Sequence, residues 1–152
     1  MSLEAVVFNS DDKKRMNDFL GLPKHIYSLG ELMQNLTDEA YLLDGTHILS
    51  KYFKVIPILV YRGKKAVSRA VVTIYPDDNT AYIGFFESID DSAAAKLLFD
   101  TAAQVAKENS AADITGPVDC SFWLRYRLKI NHFGSPYTGE PYNKDYYLKL
   151  WE

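Results

Sequence analysis

The chain has 152 residues, a formal net charge of −3 at pH 7 and one cysteine, Cys120. This charge excludes the basic surface typical of proteins that bind nucleic acid or anionic membranes, and a lone cysteine excludes an internal disulfide or a cysteine-based zinc site. No stretch approaches about 18 consecutive apolar residues, and the first residues lack the pattern of a secretory signal. We therefore predict a single cytoplasmic domain over residues 1–152.

The N-terminal third predicts a strand, a helix and a less regular segment. Residues 3–8 form a short β-prone run, and the acidic residues after it are typical of a helix start. Apolar residues then recur at helical spacing until Gly21 and Pro23, where we predict that the helix ends. Beyond it, up to residue 53, we predict one or two short helices, near 24–27 and 38–43, and a loop.

The middle of the chain carries the clearest pattern. Residues 54–62, 66–75 and 81–89 are rich in β-branched and aromatic residues and are separated by short turns, which predicts an antiparallel meander. Residues 90–92 then provide capping side chains for a helix at 93–109, whose apolar residues occupy one face.

The final third predicts two strands and a helix. Residues 113–115 form a short β-type run, and in residues 122–130 apolar side chains alternate with mostly basic ones. Period 2 indicates a strand, although a helical opening of this segment is an alternative. We expect it to cover the outer edge of strand 113–115, or else a second copy of the chain to do so in a homodimer. The aromatic tail at 143–152 predicts an amphipathic helix.

These elements predict an α+β fold with a mixed, mostly antiparallel sheet and helices on both faces. Six segments also resemble the GNAT acetyltransferase superfamily, in a divergent bacterial branch, over roughly residues 38–152. The segments are Ile56-Pro57-Ile58-Leu59-Val60-Tyr61-Arg62-Gly63, Ser68-Arg69, Gly84-Phe85-Phe86-Glu87, Thr115-Gly116-Pro117, Pro141-Tyr142-Asn143 and Tyr146-Tyr147. The resemblance implies that 54–62, 66–75 and 81–89 correspond to the second to fourth strands of a GNAT-like α/β/α sandwich.

The resemblance also implies a longer protein. The superfamily has two more strands after the helix that 143–152 resembles, and this sequence ends before them. The tail reads as a helix without an ending signal, which is unusual for a complete mixed domain. We therefore expect a domain truncated at its C-terminus, with a possible contact to the missing region.

A GNAT enzyme would bind acetyl-CoA along its fourth strand. The contacts that the resemblance assigns here are Phe85, Phe86, Ser88 and Ser92. In the superfamily a glycine-rich loop after that strand holds the pyrophosphate with backbone N–H groups. The matching residues 87–93 contain no glycine and carry Asp90 and Asp91, whose charges would repel a pyrophosphate. We expect these aspartates to cap the helix, and binding of acetyl-CoA is therefore in doubt.

Glu87 is the candidate general base, because it alternates with Ile83, Phe85 and Ile89 on an apolar face, where desolvation raises a carboxylate pKa. The alternative is a strand-end carboxylate bonded to loop backbone. The family's usual acid is a tyrosine in the last helix, where Trp151 stands here, and an indole cannot protonate a thiolate. Tyr147, one turn earlier, is the substitute acid or else a core aromatic.

Three further features of the sequence bear on a possible site. Gly84 within a strand predicts a bulge or a close backbone approach. The aromatic final third either lines a pocket or packs in the core; its members are Trp123, Tyr126, Tyr137, Tyr142, Tyr146, Tyr147 and Trp151. The three histidines are far apart and lack acidic partners at ligand spacing, so we expect no metal.

Two functions remain open. The first is a GNAT-like N-acyltransferase that transfers an acyl group from acyl-CoA to an unknown small-molecule amine. The second is a non-catalytic module that keeps the fold, has lost the pyrophosphate loop and binds a small ligand or another region of the same protein.

Overall fold

A computed structural model of the protein describes residues 2–28, 36–121, 124–126, 128 and 143–152. Its strands are β1 (Leu3–Val7), β2 (Lys54–Arg62), β3 (Lys65–Ile74), β4 (Thr80–Ser88), β5 (Asp113–Thr115), β6 (Val118–Asp119) and β7 (Arg125–Tyr126). Its α-helices are α1 (Lys13–Ile26), α2 (Leu36–Asp44), α3 (Ser92–Glu108) and α4 (Tyr147–Trp151), and a 3₁₀-helix spans Ile48–Tyr52.

Five strands form one sheet in the order β1-β2-β3-β4-β5. Neighbours pair antiparallel except β4 and β5, which pair parallel. α3 packs on one face of the sheet, and α1 and α2 pack on the other. The predicted α+β fold, the antiparallel meander and the helices on both faces are therefore confirmed. None of the described helices is long and apolar enough to cross a membrane.

Each face of the sheet has its own apolar core. The core under α3 includes Ile58, Val60, Val72, Ile83, Phe86, Leu98 and Tyr147. The core under α1 and α2 includes Phe8, Phe19, Leu42, Leu59, Val71, Phe85 and Cys120. β2 and β3 contribute to both cores because successive side chains of a strand point to opposite faces.

β4 carries one extra residue where it passes β3. Val71 is opposite Gly84 and Arg69 is opposite Glu87, so two residues of β4 face a single residue of β3. One of the two, Phe85, has a φ of 53°, in the left-handed region that is uncommon outside glycine. The bulge predicted near Gly84 is thus confirmed, one residue further along the strand.

The prediction that Glu87 shares one apolar face with Ile83, Phe85 and Ile89 is wrong, because of the bulge. Ile83 and Ile89 pack in the core under α3, whereas Phe85 packs in the core under α1 and α2. These three residues therefore do not share a face, because the extra residue shifts the alternation of side chains. A period-2 pattern in the sequence cannot reveal such a shift.

α1 does not end at Gly21 and Pro23 as predicted but continues to Ile26. Proline in a helix removes one backbone donor, so the carbonyl four residues earlier loses its usual partner. That carbonyl belongs to Phe19, and it accepts a hydrogen bond from the buried Arg69 Nη1 at 2.9 Å. A guanidinium from β3 thus replaces the bond that Pro23 cannot make.

The final third differs from the prediction at two places. Within the predicted strand 122–130, β7 pairs with β6 and not with β5, so the described part of this segment does not cover the outer edge of β5. The residues Phe122, Trp123, Arg127, Lys129 and Ile130 lie outside the described part. The predicted tail helix begins at Tyr147 rather than at residue 143, and Tyr146 precedes it without a side-chain cap.

Candidate active site

Glu87 and Tyr147, the catalytic pair expected from the sequence, are in contact although they are 60 positions apart. Glu87 lies near the end of β4, just after the bulge, and Tyr147 opens α4. Only 4% of Glu87 and 1% of Tyr147 is exposed. The Tyr147 hydroxyl donates to Glu87 Oε2 at 2.8 Å and accepts from the backbone N–H of Ser88 at 3.0 Å.

The protonation of Tyr147 follows from its surroundings. Burial, and then the negative charge of Glu87, raise the pKa of Tyr147 well above its ordinary value of 10.0. Its hydroxyl therefore stays protonated at neutral pH and remains a donor to Glu87. The hydrogen bond thus places a proton donor directly beside a carboxylate, the two kinds of group that acid–base chemistry uses.

Trp151, which the resemblance places where GNAT enzymes usually carry their acid, has a packing role. Its ring lies 5.4 Å from the Phe86 ring and 4.8 Å from the Phe99 ring, centroid to centroid. Both contacts are edge-on, a favoured arrangement for aromatic pairs. Tyr147 is therefore the tyrosine that α4 brings to Glu87.

Later parts of the chain cover the edge of β4 that faces away from β3. At Ser88, Tyr147 takes the N–H and the Tyr146 hydroxyl donates to the C=O at 2.6 Å. The backbone N–H of Phe85 donates to the buried Asp119 Oδ1, also at 2.6 Å. These backbone groups are the ones that an extended ligand would use to pair with β4, and the chain itself occupies them.

The backbone of β6 lies close to β4 at Gly84, where there is no side chain to keep it away. A Cβ at Gly84 would lie 2.0 Å from the backbone oxygen of Val118, closer than any real contact. The close backbone approach that was one explanation for Gly84 is therefore present, together with the bulge. It brings Asp119 to the backbone of β4.

The four residues expected to contact acyl-CoA do not form one surface. The side chains of Phe85 and Phe86 pack in opposite cores, and Ser92 is the first residue of α3. Ser88 touches the catalytic pair through its backbone, while its hydroxyl donates to the carbonyl of Ile89 at 2.8 Å. The assignment of these residues to a cofactor stays a prediction.

The N-terminus of α3 already holds a negative charge. Asp91 Oδ1 accepts from the N–H of Ala94 at 3.1 Å, and Arg62 Nη2 lies 2.5 Å from Asp91 Oδ2. The bond from Arg62 lowers the pKa of Asp91 below its ordinary value of 3.8, so the side chain is charged at neutral pH. The predicted cap is confirmed for Asp91, which is the N-cap residue. Its charge opposes a second anion at this helix start, and the lack of a pyrophosphate site there stays a prediction.

Sequence reasoning expected the aromatic final third to line a pocket or pack in the core. Tyr146, Tyr147 and Trp151 pack in or against the core under α3. Trp123, Tyr137, Tyr142 and the side chain of Tyr126 lie outside the described part of the chain. A cavity of about 730 Å³ is instead lined by aromatic residues from the middle of the chain: Tyr52, Phe53, Tyr75 and Tyr82. A usable signal was present, since Tyr75 and Tyr82 flank one short turn that joins two adjacent strands.

No family model and no curated protein matches the chain. Solved structures match at low sequence identity. A tandem GNAT protein from the clavulanic acid biosynthesis pathway is 14% identical with a TM-score of 0.62, over 78% of this chain and 40% of that one. An aminoglycoside acetyltransferase from an uncultured soil metagenomic sample is 16% identical with a TM-score of 0.55, over 91% and 100%.

An acyl-CoA N-acyltransferase from Pseudomonas aeruginosa is 14% identical with a TM-score of 0.54, over 73% of this chain and 75% of that one. This chain therefore spans less than half the length of the tandem protein but most of the length of the other two. The strand order, the bulge in β4 and these likenesses together show that the chain has the fold of the GNAT acetyltransferases.

Proposed function

We propose that the protein is an N-acyltransferase that moves an acyl group from an acyl-CoA thioester to a small-molecule amine. The observation that supports this most directly is the buried contact of Glu87 with Tyr147 beside the bulge of β4. The neighbours named as acetyltransferases or N-acyltransferases support acyl transfer as the general reaction, through their shared fold.

In this proposal Glu87 accepts the proton that the amine loses while its nitrogen bonds to the thioester carbon. Tyr147 donates its proton to the sulfur as the carbon–sulfur bond breaks. The hydrogen bond between the two side chains then returns the proton from Glu87 to Tyr147. The products are an amide and a thiol, and both residues regain their starting state.

The proposal requires a movement. Glu87 and Tyr147 are buried, so substrates reach them only if Tyr146 moves away from the Ser88 carbonyl while Tyr147 keeps its hydrogen bond to Glu87. The anionic end of the donor would also have to lie away from the start of α3, where Asp91 sits.

A second function is favoured by these same two features. A non-catalytic module would need neither an open β4 edge nor a pyrophosphate site. The hydroxyls of Tyr146 and Tyr147 would then hold α4 on the sheet, and Asp91 would only cap α3. Such a module would bind a small ligand or another part of its own protein.

Titration of the protein with acetyl-CoA by calorimetry separates the two functions. The acyltransferase should bind acetyl-CoA, and thiol release with primary amines such as spermidine or tyramine should follow. Glu87→Gln should keep binding but reduce turnover about 10²–10⁴-fold, the usual size of a lost acid–base contribution. Glu108→Gln, at the end of α3, is the matched control. If acetyl-CoA produces no binding heat, the acyltransferase proposal is wrong and the non-catalytic function is favoured.

A further inference from the structure

The cavity of about 730 Å³ has ordered aromatic walls. Its rings form a chain of edge-on contacts, Phe53 to Tyr75 at 5.6 Å and Tyr75 to Tyr82 at 5.9 Å between centroids. The Tyr75 hydroxyl donates to the backbone oxygen of Cys120 at 2.5 Å, which fixes the central ring. Ring faces held in this way carry negative potential that attracts cations.

The rim of the cavity is acidic. Asp77 and Asp78 line it, and the described lining residues include no lysine, arginine or histidine. Asp78 Oδ2 accepts from the Tyr82 hydroxyl at 2.7 Å and Oδ1 accepts from the N–H of Thr80 at 2.9 Å. The bond from Tyr82 lowers the pKa of Asp78, and the same bond raises the pKa of Tyr82 to about 12. Asp78 is thus a charged acceptor at neutral pH, fixed in place by these two bonds.

A cation of the protein itself already uses one of these rings. The ammonium nitrogen of Lys51 lies 5.1 Å from the centroid of Tyr52, a half-exposed ring that lines the cavity. This contact is independent of the two aspartates. It shows that one ring of the lining holds a positively charged nitrogen.

We propose that this cavity binds a small organic cation of the alkylammonium class. The aromatic faces of Tyr75 and Tyr82 contact its alkyl groups and its charge, and Asp77 and Asp78 balance that charge at the rim. The volume lies within the range of about 300–1,000 Å³ that is usual for small-molecule sites. The proposal does not rest on acyl transfer, because binding at this site needs neither acyl-CoA nor Glu87.

The test compares choline with 3,3-dimethyl-1-butanol, which has the same shape without the charge. Each is titrated into the full chain at constant ionic strength, and the chemical shifts of the tyrosine rings are followed by NMR. We expect choline to bind about two- to fivefold more tightly than the alcohol, which is the size of a cation–π contact at a partly exposed site. Equal binding of the two, or no binding of choline, would overturn the proposal.

Variants locate the site. Asp78→Asn and Asp77→Asn should each weaken choline binding several-fold and leave binding of the alcohol unchanged. Tyr52→Leu should also weaken choline binding, and it carries little folding risk because Tyr52 is 55% exposed. Asp100→Asn removes another exposed carboxylate, on α3, and should change nothing. If the three cavity variants fold, as thermal unfolding will report, and bind choline like the parent chain, the cation lies elsewhere and the proposal is wrong.

Discussion

At the scale of single residues, one hydroxyl connects the last helix to the sheet. The Tyr147 hydroxyl is a donor to Glu87 and an acceptor for the backbone of Ser88, and it is buried. Buried polar groups are costly to leave without partners, so this hydroxyl matters for stability whether or not it takes part in catalysis.

Tyr147→Phe should lower the free energy of unfolding by about 1–3 kcal/mol, because it leaves the buried N–H of Ser88 without this acceptor. Urea denaturation followed by circular dichroism measures the change. Tyr41→Phe is the control, since Tyr41 is 49% exposed and should lose almost nothing. A loss of equal size in both variants would contradict the structural role given to Tyr147.

The lowered pKa of Asp91 predicts that the protein loses stability at acidic pH. Its folded pKa lies below the ordinary value of 3.8, so its charge stabilises the fold above that value, and this stability is lost as pH falls through the folded pKa.

Asp91→Asn keeps a capping side chain but loses the charge that pairs with Arg62. We expect it to be less stable than the parent chain by about 0.2–1 kcal/mol at pH 7, because Arg62 is partly exposed. The difference should shrink below about pH 4. Urea unfolding at pH 7, 5 and 3 measures it, and a difference that stays constant over this range would refute the assignment.

At the scale of elements, the bulge and the close approach of β6 together shape β4. The extra residue directs the Phe85 side chain into the core under α1 and α2. Because Gly84 has no side chain, the backbone of Val118 can lie against it. β4 pairs with β5 only before the bulge. After the bulge, its outer edge is covered by α4, whose Tyr147 contacts Glu87.

Gly84→Ala should therefore destabilise the protein by about 1–3 kcal/mol, as overpacking in a rigid site does, because the backbone of β6 must move. For Gly21→Ala we expect the opposite change in stability. Gly21 lies inside α1 with nothing within 4 Å of an added Cβ, so alanine should stabilise by about 0.5–1 kcal/mol. Melting temperatures of the two variants test the contrast, and two shifts of the same sign would contradict it.

At the scale of the whole molecule, a buried ion pair joins the sheet to the layer of α1 and α2. Arg69 of β3 is fully buried, and its guanidinium lies 3.0 Å from Glu39 of α2 and 4.4 Å from the ring centroid of Phe19. The same guanidinium takes the carbonyl that Pro23 leaves open. The two helices and the strand β3 therefore depend on one side chain.

Breaking this pair from one side should be costly. Glu39→Leu or Arg69→Met alone should lower the free energy of unfolding by about 3–5 kcal/mol, because each leaves a buried charge without its main partner. The double variant should lose much less than the sum of the two. Urea unfolding of all four proteins gives the coupling energy, and strict additivity would mean that the pair does not hold the layers together.

The sequence by itself determined the elements whose signal is local. The three strands of the meander and a capped start of α3 near residues 90–92 follow from β propensity and capping chemistry, which act within a few residues. Gly84 indicated a bulge or a close backbone approach without deciding between them. Glu87 and Tyr147 could also be named from the sequence, through their family resemblance.

Only the tertiary structure decided what depends on contacts between distant residues. α1 runs through Pro23 because Arg69, far along the chain, takes the Phe19 carbonyl. β6 lies against β4 because Gly84 leaves room for the backbone of Val118, and no local pattern encodes that approach. The aromatic cavity likewise forms from segments that meet only once the sheet is assembled, because pockets arise from packing between elements and not from any one of them.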